Sequence, residues 1–537
     1  MQASGIHHLE LIILFLLIVV ASLATLARRF QTPYPIVLVI GGLILSLFPR
    51  LPHISLRPDI VFLVFLPPLL YTGAFHTSWR DFHANLLNIL LLAFGLVGFT
   101  VLGVSIGAGW LLPGFDYRLG AVLGAVISTT DAIAATAIAK RVGLPRRIMD
   151  ILDGESLVND ASGLLALQFT VTLLVTGERP GAGLAILHLM WLVAGGIAVG
   201  LLSAYFIHRA ALDITDPPIE ITLSLITPYV AYLIAEGVGA SGVLSAVACG
   251  LYLGRKNSET LSINARLESS AVWRTLDFVL NGIVFTLIGL QLPFILSNIH
   301  NRSMAQLLWD ATAFNAFVIG LRISWVFLVA GFVHFIRTRL LGKQEPRPNP
   351  KAVFIVGWTG MRGVLALAAA ISLPTVLANG NPFPNRDLII FLTFSVIFVT
   401  LVLQGLTLPI LIRKLGLAGG ESSSAMEEQA ARREILTTVL QYIKELESRA
   451  KPEHVPVYED LARHYQDRLA LVEAGPEPSG SHTDLTLARY YTNFSQELRS
   501  LERSTALSLR NANKINDELL RKLERELDLS EARFLLS

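Results

Sequence analysis

The chain has 537 residues, 53% of them hydrophobic and 16% charged, with a mean hydropathy of +0.57. Soluble domains carry about 25% charged residues, so this balance excludes an ordinary soluble protein and points to a polytopic membrane protein. A formal net charge of +2 says little by itself, because the positive residues are unevenly placed; no nucleic-acid partner is expected, and a single cysteine, Cys249, excludes an intramolecular disulfide.

In chain order, thirteen apolar segments approach the ~20 residues that a spanning helix needs: residues 9–27, 35–49, 58–75, 86–112, 118–139, 151–176, 184–207, 219–235, 240–254, 271–295, 307–336, 352–374 and 388–412. The predicted fold is therefore all-α, with about thirteen transmembrane helices. The first segment lacks a basic region ahead of it, since the first arginine is Arg28, and is read as a span and not as a cleaved signal. With the N-terminus outside, the internal loops hold about three times as many Lys and Arg residues as the external ones. The predicted orientation is N-out and C-in, as an odd number of spans also requires. In the third segment Pro67-Pro68 predicts a kink.

Two segments carry the marks of interrupted helices. The fifth contains Ser128-Thr129-Thr130-Asp131, four residues that compete with or disfavour helical geometry. The twelfth contains Gly357-Trp358-Thr359-Gly360-Met361-Arg362-Gly363, three glycines spaced by three with a cation among them. Seven spans separate the two, so they run in opposite directions, as in inverted repeats whose broken helices cross near the bilayer midplane beside an ion. Unwound backbone at that depth requires a cavity or a protein partner.

The sixth segment opens with Gly154-Glu155-Ser156-Leu157-Val158-Asn159-Asp160. A charge at mid-membrane costs roughly 3 kcal/mol, so such groups face a partner or water. Glu155 and Asn159 are four apart, as are Ser156 and Asp160, and the set is read as one helix flank. Its hard oxygens suit a small alkali cation or a proton. Asp160 is the predicted cation carboxylate and proton acceptor; the plainer alternative is a buried acid bonded to a neighbouring helix. Thr130 would contribute a carbonyl freed by the break, although its hydroxyl is equally suited to its own backbone. Ser156 could ligate the cation or serve as helix-packing glue. Glu155 needs a counter-charge, and Arg322 in the eleventh segment is the candidate. Asp131 and Arg362 stand at the two breaks, where they either compensate half-helix ends or ligate. No HExxH, GxSxG or Walker loop occurs, which leaves an intramembrane protease, a hydrolase or an ATP-driven pump without its usual signature.

Residues 1–415 form the predicted membrane domain, 416–424 a Gly/Ser-rich linker, and 425–537 a charged, amphipathic helical domain. In the last of these, Ile435, Val439, Tyr442, Ile443 and Leu446 recur at helical spacing, as do Ile515, Leu519, Leu520, Leu523 and Leu527, with Gly475, Pro476, Pro478 and Gly480 between.

The motif Gly154–Asp160 is one of several that resemble a known family. The others are Phe65-Leu66-Pro67-Pro68-Leu69-Leu70, Ala235-Glu236-Gly237-Val238-Gly239-Ala240-Ser241-Gly242-Val243-Leu244, Gly360-Met361-Arg362-Gly363 and Leu403-Gln404-Gly405-Leu406-Thr407-Leu408. In this order they resemble the monovalent cation/proton antiporters of the first superfamily branch, which includes bacterial NhaP-type proteins and animal sodium/proton exchangers. The resemblance implies thirteen spans, a homodimer in a bacterial-type plasma membrane, and an elevator-like motion of a core domain. Carried onto this chain, it implies an ion site at Asp160 with Asn159, Ser156 and the backbone of Thr130, a stabilising Glu155–Arg322 pair, and no cofactor beyond the transported Na⁺ (or K⁺ or Li⁺) and H⁺. The chain departs from the family at two places. The family's Thr-Asp-Pro is Thr130-Asp131-Ala132 here, and many relatives carry a glutamate where this chain has Thr72. The predicted function is electroneutral Na⁺/H⁺ exchange, with K⁺/H⁺ or mixed exchange next and a cation channel as a different class. No membrane-enzyme chemistry is visible.

Overall fold

In the computed structural model, the described residues are 2–48, 56–176, 182–299, 302–340, 342, 347–377, 380–418, 421–449, 451, 454–474, 502, 504, 505 and 508. Their regular structure is helical, with no strand and one isolated bridge between Val376 and Pro382. The chain divides into two compact units, Met1–Gly420 and Glu421–Ser537.

In the first unit the principal helices are α1 (Gln2–Arg29), α2 (Tyr34–Ser46), α3 (Pro58–His76), α4 (Leu86–Leu111), α5 (Tyr117–Val126), α6 (Ala132–Val142), α7 (Arg146–Thr176), α8 (Ala182–Ala211) and α9 (Pro217–Gly237). They continue as α10 (Gly242–Arg255), α11 (Ile263–Leu290), α12 (Met304–Phe335), α13 (Pro350–Trp358), α14 (Val364–Ile371) and α15 (Arg386–Lys414). Nine helices among the described residues are long and apolar enough to cross a membrane. The predicted second and ninth segments are shorter, at 13 residues for α2 and 14 for α10. The predicted fifth and twelfth segments are each divided, into α5 and α6 and into α13 and α14.

At Pro67-Pro68 the predicted kink takes the form of a wide turn. Residues Val61–Phe65 of α3 form one π-helical turn, and the two prolines open the α-helical stretch that follows. Proline has no N–H, so Pro68 leaves the Val64 carbonyl without its helical donor. The Tyr229 hydroxyl of α9 donates to that carbonyl at 3.0 Å. A cross-helix bond thus replaces the one that proline removes, as backbone in hydrocarbon demands.

Glycines set how closely the helices pack. A Cβ on Gly42 of α2 would lie 2.4 Å from the Thr286 carbonyl oxygen, and one on Gly289 of α11 would lie 2.3 Å from the Val39 oxygen. The two backbones are in direct contact, the small-residue packing that holds membrane helices where no hydrophobic drive exists between them. Gly196 and Gly200 of α8 meet the Ser241 and Ser245 carbonyls beside α10 in the same way. Cys249 is buried in a cluster with Tyr71 and Trp273, a packing residue.

The second unit contains α16 (Glu421–Ser448) and α17 (Val455–Ala474). Leu440, Ile443 and Ala462 form its buried core, with Val439, Tyr458, Tyr465 and Leu469 against it. The buried stripe of α16 is rotated from the predicted one. Leu436, Leu440 and Ile443 are buried, whereas Ile435 and Tyr442 are exposed. The four- and three-residue steps of the buried set keep the helical period, so register, not helicity, is the correction. The predicted break at 475–480 and the stripe from Ile515 to Leu527 lie outside the described residues.

Candidate functional site

The two interruptions meet and satisfy each other. The Asp131 N–H donates to the Met361 carbonyl at 2.8 Å, which joins the α5/α6 break to the α13/α14 break. The Asp131 carboxylate caps α6 by accepting from Ile133 N–H at 2.8 Å, the favourable place for an acid at a helix N-terminus. Ser156 of α7 spans the first break: its hydroxyl donates to the Thr130 carbonyl at 2.8 Å and accepts from Ala132 N–H at 3.2 Å. On the second break, Arg362 N–H donates to the Thr400 hydroxyl at 3.1 Å, and its guanidinium donates to the Gly360 carbonyl at 3.0 Å, just past the end of α13.

The glycines of the second break make room for charged side chains. A Cβ on Gly360 would lie 2.1 Å from Cδ of Arg322, and one on Gly363 would lie 2.6 Å from Oδ2 of Asp131. Gly163 of α7 does the same for the first break, where a Cβ would lie 2.4 Å from the Thr129 methyl.

The motif residues of α7 fall on two adjacent stripes. Glu155 and Asn159 point into packed protein, at 1% and 0% exposure. Arg322 of α12, itself 3% exposed, binds Glu155 through both carboxylate oxygens, Nη1 to Oε1 at 2.5 Å and Nη2 to Oε2 at 2.9 Å. The Thr130 hydroxyl donates to Glu155 Oε1 at 3.2 Å and accepts from Asn159 Nδ2. Asn159 Oδ1 has no hydrogen-bond partner among the described residues. Ser156 and Asp160, one residue further round, are half-buried and open to a cavity. No hydrogen bond to the Asp160 carboxylate occurs among the described residues.

That cavity has a volume of ≈ 640 Å³. Thr129, Thr130, Asp131, Ser156 and Asp160 line its interior, and the exposed His76, Lys140 and Arg274 stand at its mouth. Asp153 of α7 and Asp277 of α11 bring the carboxylates on its wall to four. Of the predicted site residues, Asp160, Ser156, Thr130 and Asp131 line this space, whereas Asn159, Glu155, Arg322 and Arg362 do not. Asp153 and Asp277 escape a search confined to motifs. Asp277 is nevertheless visible in the sequence as part of a polar stripe, Ser270, Arg274, Asp277 and Asn281, running into an apolar segment at helical spacing.

Comparison with known proteins shows the family of the chain. The family described as "Sodium/hydrogen exchanger, transmembrane" matches residues 14–414. An uncharacterized Na⁺/H⁺ exchanger of Mycobacterium tuberculosis is 32% identical over 518 residues, covering 95% of this chain and 93% of that protein. The sodium, potassium, lithium and rubidium/H⁺ antiporter of Bacillus subtilis is 33% identical over 456 residues, covering 81% of this chain and 66% of that one. Among solved structures, the sodium proton antiporter MjNhaP1 of Methanocaldococcus jannaschii superposes with a TM-score of 0.58 at 20% identity, covering 77% of this chain and 99% of that one. This last likeness concerns the fold.

Proposed function

The chain belongs to the sodium/hydrogen exchanger family, a family of multi-pass membrane transporters and not of enzymes, and from that premise we propose that Na⁺ and H⁺ compete for the Asp160 carboxylate. The observation that carries this reading is the difference between two acids on one helix. Glu155 is spent on Arg322, while Asp160 faces the cavity with no protein hydrogen bond among the described residues. When the proton leaves Asp160, its charge attracts a cation, and the Ser156 hydroxyl and the cavity-lining Thr130 stand beside it as oxygen donors. When a proton returns, the charge that held the cation is gone. One free carboxylate carries one proton or one monovalent cation, so the exchange is read as one for one and electroneutral.

The two broken helices and α7 are read as the moving part of an alternating-access cycle, within thirteen spans arranged as inverted repeats and dimerised with a second copy. The cavity mouth holds Lys140 and Arg274, and the basic loops favour that end as cytoplasmic, with the N-terminus outside. In this reading the ion domain is 1–415, joined by 416–424 to a cytoplasmic domain at 425–537. A broader cation range is the second reading, supported by the name of the Bacillus subtilis relative, which includes potassium, lithium and rubidium.

Inverted vesicles loaded with a pH-sensitive dye test both readings. Addition of Na⁺, K⁺ or Li⁺ in turn gives the ion range, and exchange should vanish in Asp160→Asn. In proteoliposomes under an imposed potassium–valinomycin potential, sodium-driven proton flux should not respond to voltage. A strong response would mean that a second group carries charge, and Asp131 would be the first to neutralise.

A further inference from the structure

One face of α11 forms a wall of the same cavity. Ser270, Arg274, Asp277, Asn281 and Phe285 all line it, and their spacing of four and three residues places them on a single helical stripe. Arg274 is exposed and Phe285 is buried, so the stripe runs from mouth to floor with Asp277 between them. Asp277 is half-buried, and its Oδ1 accepts from Asn281 Nδ2 at 3.1 Å. Asn281 is 2% exposed, a rigid support that fixes the carboxylate and leaves Oδ2 free of hydrogen bonds among the described residues.

No ion pair consumes that charge among the described residues, and Arg274 donates to the Ser270 hydroxyl at 3.2 Å. From α3, the Thr72 hydroxyl turns back to the Pro68 carbonyl at 2.7 Å, so that wall adds no carboxylate. A second observation points to a ligand in this space: Thr129 lines the cavity and is 3% exposed, and its buried hydroxyl has no hydrogen-bond partner among the described residues. Asp277 stands on α11, whose backbone is packed against α2, whereas Asp160 stands on α7 against the broken helices.

We propose that Asp277 is an entry station, a carboxylate that gathers the hydrated monovalent cation from the mouth of the cavity and passes it to Asp160. The proposal rests on the reading of Asp160 as the exchange site. Asp277 lines this cavity and so sets the half-saturating cation concentration on the membrane face to which the cavity opens. A cleft lined by one sign of charge raises the local concentration of its counter-ion by tenfold or more, an effect that added salt weakens.

The test measures Na⁺ half-saturation from each face, in inverted and right-side-out vesicles, for the unchanged protein and for Asp277→Asn, Asp277→Glu and Asp160→Asn. Asp277→Asn should raise half-saturation about tenfold on the cavity face alone, with the loss falling on half-saturation and not on maximal rate. Choline chloride should narrow the difference, and Asp277→Glu should restore tight half-saturation. Unchanged half-saturation, an equal rise on both faces, or loss of maximal rate as complete as in Asp160→Asn would each overturn the entry role. Exchange that survives in Asp160→Asn would instead overturn the exchange site. A silent Asp277→Asn beside an inactive Asp160→Asn would remove only the present inference.

Discussion

Two stripes of α7, one residue apart, treat their carboxylates in opposite ways. On the dry stripe, Glu155 is 1% exposed and gives both oxygens to Arg322, with Thr130 donating a third bond. On the wet stripe, Asp160 is half-buried, open to a ≈ 640 Å³ cavity, and has no hydrogen-bond partner among the described residues. A buried charge that keeps a partner becomes part of the scaffold, since removing one member of the pair strands the other. A charge whose partner is solvent remains available for an exchangeable ligand. The same residue chemistry on one helix thus yields a strut and a site, and a rotation of about 100° along the helix separates the two.

The largest expected effect breaks the comparison on its wet side. Asp160→Asn should abolish cation-driven proton movement while leaving expression and thermal stability near those of the unchanged protein, because no hydrogen bond among the described residues is lost. Retained exchange at normal expression would rule out Asp160 as the shared carboxylate.

The dry side should answer in the opposite currency. Glu155→Gln or Arg322→Met should each destabilise the folded protein in detergent by about 3–5 kcal/mol, since either leaves a buried charge without its partner. The double variant should recover part of that loss. Strictly additive losses in the double-mutant cycle would mean that the contact contributes no coupling energy.

Much of this division was legible in the sequence, and its limits are instructive. Ser128-Thr129-Thr130-Asp131 and the glycine-spaced run to Gly363 mark where helices stop, because local propensity and missing side chains act over a few residues. Both lie where the structure leaves the helix. The spacing of Glu155, Ser156, Asn159 and Asp160 suggested one flank, but spacing alone cannot say which stripe meets Arg322 and which meets water. That depends on α12, more than 150 residues further on. Asp277 shows the same limit: its polar stripe is visible, but the cavity it faces is assembled by α3, α6 and α7. Register in α16 also escaped, because Ile435 and Leu436 are equally apolar and only the partner helix chooses between them.

A smaller effect sharpens the comparison at the glycine beneath the dry stripe. Gly360→Ala would place a methyl group 2.1 Å from Arg322 Cδ and 2.2 Å from its Nε, so the guanidinium must move. Overpacking of this kind costs about 1–3 kcal/mol. Thermal denaturation in detergent should show that loss, and most of it should disappear in an Arg322→Ala background, where Cδ and Nε are both absent. A loss that persists there would locate the strain in the backbone of the break.

The smallest stability change belongs to Ala132, where the family resemblance implies proline. Its neighbour Asp131 is extended, with φ −104° and ψ 115°, the conformation that a following proline favours. Position 132 opens α6, where proline's fixed φ is suited and its missing N–H is tolerated. Ala132→Pro would delete the bond from Ala132 N–H to the Ser156 hydroxyl, worth about 1 kcal/mol. The smaller entropy of the unfolded chain returns about 0.4–1 kcal/mol only where the replaced N–H is unbonded; here it is bonded, so a net loss of about 1 kcal/mol is expected. Proline Cδ would stand where that N–H now points, so the Ser156 hydroxyl must turn away from it, towards the cavity that Ser156 lines. If Ser156 helps to hold the cation, half-saturation by Na⁺ should fall in this variant, and Ser156→Ala should cancel the gain. A wet stripe that serves as a site can change its affinity without changing the fold. Loss of several kcal/mol in Ala132→Pro would show instead that this stripe is as much a strut as its neighbour.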